Sequence, residues 1–199
     1  MMKKNLVITI GRENGSGGKY IGERLAEELG VKCYDTQLIE QTAVKSHHDK
    51  KYVEEHDEKP PVSFLYFGGQ PIPMAMVATQ AKVIKEIASK ESCVIIGRAS
   101  DYVLKDFENV VNIFVHAPLG ARLERYCRRK NVDIIKAEKM IRKEDKERAT
   151  FYNYYTNQKW GEAKNYHLSI DTSKVGIEGA VQLIKEYIAL ENKEENKIV

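Results

Sequence analysis

The chain has 199 residues, 42% of them hydrophobic and 31% charged, which excludes a disordered polymer and suits one globular unit with a sizeable core. Its 32 lysines and arginines against 29 acids leave a net charge of +3, too small to argue for a nucleic-acid partner. Cys33, Cys93 and Cys127 are odd in number and widely spaced, which excludes a disulfide framework and a zinc knuckle and points to a reducing, cytoplasmic setting. In chain order, Leu6 to Ile10 is a short β-branched apolar run, the pattern of a strand buried on both faces of a parallel sheet. It is too short for a signal peptide. No stretch approaches the roughly 20 apolar residues of a membrane span, so no membrane association is expected.

The glycine-rich turn Gly11 to Gly18 follows at once. A helical period through Ile21, Leu25, Ala26 and Leu29 predicts a helix from near Lys19, with Gly30 as its C-cap. Val31 to Tyr34 reads as a second strand, and Asp35 or Thr36 as the cap of a helix over 37–47. His47 to Lys59 is crowded with charge and ends at Pro60-Pro61, the pattern of a mobile, solvated excursion. Phe64 to Pro73 reads as a loop carrying exposed aromatics, and a helical pattern resumes over 74–90. Cys93 to Ile96 and Val110 to Val115 are strands three and four. Two charged helices, 118–130 and 134–150, precede the aromatic run Phe151 to Tyr155. Tyr166 to Ile170 is a fifth strand, Asp171 to Ser173 a turn, Ile177 to Leu190 a last amphipathic helix, and Glu191 to Val199 a frayed end. Strands alternating with helices in this way predict an α/β fold, three layers α/β/α around a five-stranded parallel sheet.

Ligands of an open parallel sheet bind at the carboxyl ends of its strands, where the glycine turn lies. Gly15, Gly17 and Gly18 permit positive φ and let backbone N–H groups converge, while the next helix presents its positive end. Gly15, Ser16, Gly17, Gly18, Lys19 and Tyr20 are therefore candidates for cradling a phosphate chain. The pattern GxxxxGK[ST] asks for glycine six residues before the lysine and a hydroxyl after it; counted from Lys19, those places hold Glu13 and Tyr20. A glycine-rich turn that binds nothing is the plain alternative.

The segments ITIGRENGSGGKYIGERLAEELG, CYDTQLIEQTA, CVIIGRASDYVL and NIFVHAPLGARLERYCRR resemble the cytidylate-kinase-like branch of the nucleoside monophosphate kinases. So does KMIRKEDKERATFYNYYTNQKWGEAKNYHLSIDTSKVGIEG, and the resemblance runs in order from about Leu6 to Leu190. It implies a P-loop kinase fold with an acceptor-binding helical region at 36–90 and a helical lid at about 131–160. The implied reaction is phosphoryl transfer from ATP, with Mg2+ held mainly by the nucleotide, to a nucleoside monophosphate such as CMP. By the same resemblance Lys19, Arg98, Arg142 and Arg148 are catalytic cations. Arg122, Asp171 and Thr172 join the glycine turn around the nucleotide, and Asp35, Arg98 and Asp101 surround the acceptor. Aligned without a gap, the family's P-loop lysine falls on Gly18, its acid before the Gly-Arg pair on Ile96, and its aspartate after that pair on Ala99. Gln41 stands where the family has an arginine. Two other readings stay open, a catalytically silent nucleotide-binding module and a P-loop kinase for a non-nucleotide metabolite.

His47, His48, Asp49, Glu54, His56 and Asp57 match no common zinc spacing and read as solvated surface, so no resident metal is expected. Arg122, Arg125, Arg128, Arg129 and Lys130 recur along one helix and either face solvent or reach phosphates. Tyr152, Tyr154, Tyr155 and Trp160 either stack on a base or pack a lid or a dimer surface, which leaves a homodimer open.

Overall fold

Residues 5–47, 49–59 and 74–195 are described in the computed structural model. The expected aromatic loop at 64–73, the Pro60-Pro61 stop, His48 and both chain ends lie outside these residues. Strands β1 (Val7–Arg12), β2 (Lys32–Tyr34), β3 (Cys93–Ile96), β4 (Val110–His116) and β5 (Leu168–Asp171) pair in parallel in the order β2-β3-β1-β4-β5. β1 is central, so its apolar run is covered on both faces, as the sequence required. On one face Ile8, Ile10 and Ile113 pack against helices α1 (Gly18–Leu29) and α8 (Thr172–Glu195) through Ile21, Leu25 and Ile184. On the other, Val7, Cys93 and Ile95 meet Leu38 of α2 (Thr36–Ser46), Ile84 of α4 (Met74–Lys90) and Leu104 beyond α5 (Ser100–Val103). The expected three-layer α/β/α architecture is thus the observed one.

The connections place the polar residues. Gly30 ends α1 in the left-handed region at φ 65°, its N–H donating to Ala26 and Glu27 carbonyls, as its position predicted. Where a solvated excursion was expected at 47–59, Lys50–His56 forms helix α3, anchored by the buried Val53 against α2 and α4. Helix α6 (Leu119–Lys130) lies beside α7 (Ile134–Thr156), with Leu123 and Tyr126 meeting Ala137 and Ile141. α7 does not stop at 150: Phe151 and Tyr152 are buried in it and Tyr155 packs against the same cluster, so of the run's aromatics only Tyr154 is exposed. α8 starts at Thr172 rather than at 177 and is interrupted at Gly176, where φ is 71°.

Candidate phosphate-binding cleft

A cleft of about 790 Å³ opens over the carboxyl ends of β1 and β3, between the β1–α1 turn and α7. Its donor wall is main chain. Gly15 and Gly17 have φ of 81° and 94°, and Gly17 caps α1, whose first turn faces the cleft. The turn is braced by side chains, of which Arg125 also lines the cleft. The buried Arg122 guanidinium donates from Nε to Ala117 O at 2.9 Å and from Nη1 to Asn14 O at 3.1 Å and to Asp145 Oδ2 at 2.5 Å. Thr172 Oγ1 donates to Ser16 O at 2.7 Å and accepts from Arg125 Nη1 at 2.7 Å. Ser16 is itself buried, its hydroxyl donating to Glu13 O at 2.8 Å. Arg122, Ser16 and Thr172 therefore set the turn's shape rather than facing a ligand, and Asp171 is engaged with the N–H of Ser173 at 2.8 Å.

The opposite wall is charge. Gly97, Arg98 and Ala99 all sit at positive φ (76°, 55° and 49°), a kink that sends the Arg98 side chain back under the cleft. Its guanidinium is 3% exposed and engaged at all three nitrogens: Nη1 donates to Asp35 Oδ1 at 2.6 Å and to Ile96 O at 2.7 Å, while Nε and Nη2 hold the two oxygens of Asp57 at 3.2 and 2.7 Å. Glu58 Oε1 accepts from the Arg98 N–H and from Arg12 Nη1, each at 2.7 Å, and Glu58 Oε2 accepts from Arg148 Nε at 3.3 Å. Burial by itself would raise the Glu58 carboxyl, but Arg12, Arg148 and Arg98 outweigh it and hold it far below the usual range. The same contest, burial against Arg98 first of all, ends with Asp35 depressed. Arg148 Nη1 is buried with no hydrogen-bond partner, and so is Asn14 Nδ2.

Of the residues singled out by sequence, Gly15, Gly17, Gly18, Lys19, Tyr20, Asp35, Arg98 and Arg148 come together on the cleft. Lys19 reaches Asp35 at 3.1 Å and Glu23 at 3.8 Å with a half-exposed side chain. Arg142 is not brought in: it lies on the outer side of α7, 64% exposed and paired with Glu138. Asp101 is also elsewhere. It is buried behind the cleft, accepts from the Tyr152 hydroxyl at 2.6 Å, and is pushed up by desolvation despite that bond. Arg12, Asp57 and Glu58 were missed. Asp57 and Glu58 sat in a charge run that looks solvated, and their cationic partners are 40 to 90 residues distant. For Arg12 one signal existed: if Gly18 occupies the lysine place of the P-loop pattern, Arg12 occupies its first glycine.

Among the described residues no group of three or more His, Cys, Asp and Glu is placed to hold a metal, and no helix is long and apolar enough to cross a membrane. Burial pushes the thiols of Cys33 and Cys93 up to about 12, which makes them inert as nucleophiles. The sequence pattern of the cytidylate kinase-like family matches residues 7–174. Cytidylate kinase of Methanocaldococcus jannaschii is 27% identical over 191 residues, covering 92% of this chain and 97% of the relative. That of Pyrococcus furiosus is 28% identical over 194 residues, covering 94% and 91%. A crystal structure of an uncharacterized protein from Eubacterium ventriosum superposes with TM-score 0.74 at 27% identity, covering 93% and 99%. Shikimate kinase from Acinetobacter baumannii in complex with shikimate shares the fold, with TM-score 0.55 at 19% identity and 96% of each chain covered.

Proposed function

The chain belongs to the cytidylate kinase-like family, and from that premise we propose that it transfers the terminal phosphoryl group of ATP to a nucleoside monophosphate such as CMP. The bond from the γ-phosphorus to its bridging oxygen breaks as an oxygen of the acceptor's phosphate bonds to that phosphorus, leaving ADP and a nucleoside diphosphate. Such a transition state asks little covalent chemistry of the protein; positioning and charge neutralisation supply most of the rate. Backbone N–H groups from Gly15 to Gly18 hold the donor phosphates against the start of α1. Arg148, carried on α7, lies against them from the far side of the cleft, which gives 131–160 its lid role. Mg2+, when bound with the nucleotide, would supply charge neutralisation at the phosphates. With Tyr20 after Lys19, where the pattern has a serine or threonine, the nucleotide would be the ion's main holder.

The observation that carries this reading is Arg148 Nη1, a buried donor with no acceptor, beside a glycine cradle. Leaving such a donor unpaired costs about 1–3 kcal/mol, which an anionic ligand removes. The pairing of Arg98 with both Asp35 and Asp57 favours a second reading, in which the acceptor is a metabolite without a phosphate to compete for that guanidinium. A coupled assay for ADP release across nucleoside monophosphates and small hydroxy acids separates the two. Turnover greatest with CMP is the expected result; ATP binding with no turnover of any acceptor would reduce the protein to a nucleotide-binding module.

A further inference from the structure

An arginine at position 12 and any side chain at position 18 exclude each other in this fold. A Cβ on Gly18 would lie 2.6 Å from Arg12 Cβ and 3.0 Å from its Cγ. Position 18 is where the lysine of GxxxxGK stands when its first glycine is counted from position 12. Both ends of the pattern are exchanged here, and the arginine stem occupies the space into which a lysine side chain from position 18 would leave the helix. Lys19, one place later, is half-exposed and paired with Asp35 and Glu23.

The Arg12 side chain is 12% exposed and lines the cleft. Among the described residues only its Nη1 is engaged, by Glu58, which leaves Nε and Nη2 without protein acceptors. In Arg98, by contrast, all three guanidinium nitrogens already have protein acceptors. A Cβ on Gly97 would overlap both the Arg12 guanidinium and the Glu58 carboxylate, so the β3–α5 kink opens the room the fork occupies. Arg148, whose Nη1 is orphaned, meets the same carboxylate through its Nε at 3.3 Å.

We propose that Arg12 is the catalytic cation of the donor site: Glu58 holds one arm of its fork, and the free donors meet the β- and γ-phosphate oxygens of ATP. The assignment rests on the kinase reading and names the residue that takes over the P-loop lysine's work. The test compares wild type with Arg12→Ala, Arg12→Lys and the double variant Arg12→Gly/Gly18→Lys, which rebuilds the ordinary spacing. Turnover, thermal midpoint, and calorimetric affinity for ATP and for AMP are measured on each. Arg12→Ala is expected to lower kcat about 100-fold. It should weaken ATP about tenfold and leave AMP unchanged, since AMP has no β- or γ-phosphate. The double variant should regain about tenfold over Arg12→Ala. A folded Arg12→Ala protein with kcat within about threefold of wild type and an intact preference for ATP over AMP overturns the assignment. If wild type turns over no acceptor, the kinase reading fails by itself, and the ATP-to-AMP affinity ratio of Arg12→Ala still decides the role of Arg12.

Discussion

The donor wall of the cleft, from Glu13 to Gly18, takes its shape from main-chain geometry and from its braces, Arg122, Arg125 and Thr172. The acceptor wall, from Asp35 through Asp57 and Glu58 to Arg98, takes its shape from buried charge, with side-chain exposures between 3% and 20%. A wall of backbone amides is preformed and tolerates an empty site, because water or a ligand meets the same N–H groups. A wall of paired ions is stable only while every charge keeps a partner, so its composition changes with what is bound. On the proposed reading, the first kind of wall holds a constant feature, a phosphate chain, and the second discriminates.

The comparison breaks most sharply at Glu58. Glu58→Gln strips the carboxylate from three arginines and should cost about 3–5 kcal/mol in urea unfolding, the usual penalty of stranding buried charge. Inorganic phosphate should then raise the variant's thermal midpoint more than that of wild type; equal shifts would mean the arginines do not form an anion site. On the donor wall, Gly15→Ala meets Arg122 O at 2.9 Å and must hold φ near 81°. The expected loss is about 1–3 kcal/mol, together with weaker ATP binding in calorimetry. Tyr152→Phe, behind both walls, removes the donor to Asp101 and should cost about 1–2 kcal/mol in the same unfolding experiment, with nucleotide affinity unchanged.

Acid sharpens the contrast further. Asp35 and Glu58 have folded-state pKa values below their unfolded ones, so their contribution to stability is complete above the unfolded values, about 3.9 and 4.3, and is lost as pH falls through the depressed ones. Wild type should therefore lose stability below about pH 4 more steeply than Glu58→Gln, and parallel curves from pH 6 to pH 3 would contradict the cluster. The smallest effect is at Arg142, where alanine should change stability by less than about 0.5 kcal/mol and leave turnover at the wild-type level.

Much of the donor wall was legible in the sequence because its signals are local. A β-branched run, three glycines and a 3.6-residue period lie within 25 residues, and each constrains backbone that its own side chains or their absence control. The first strand, the glycine turn and the first helix followed from that, the parallel sheet from the alternation of strands and helices along the chain, and the family from the resemblance of the longer segments. The boundaries of α7 and α8 did not, since Phe151, Tyr152 and Thr172 look like loop or turn residues until a neighbouring layer buries them. On the opposite wall, Asp35 and Arg98 were legible through the resemblance, but the carboxylates of 57–58 had no local signal. Asp57 and Glu58 belong to a charge run whose ordinary fate is solvent, and only the fold carries Arg12, Arg98 and Arg148 to them. What the chain determined by itself is whatever a turn or a helix period can encode over a few residues. What the tertiary structure decided is which charges share a low-dielectric space, because the Coulomb terms that join them depend on distances the linear order does not contain.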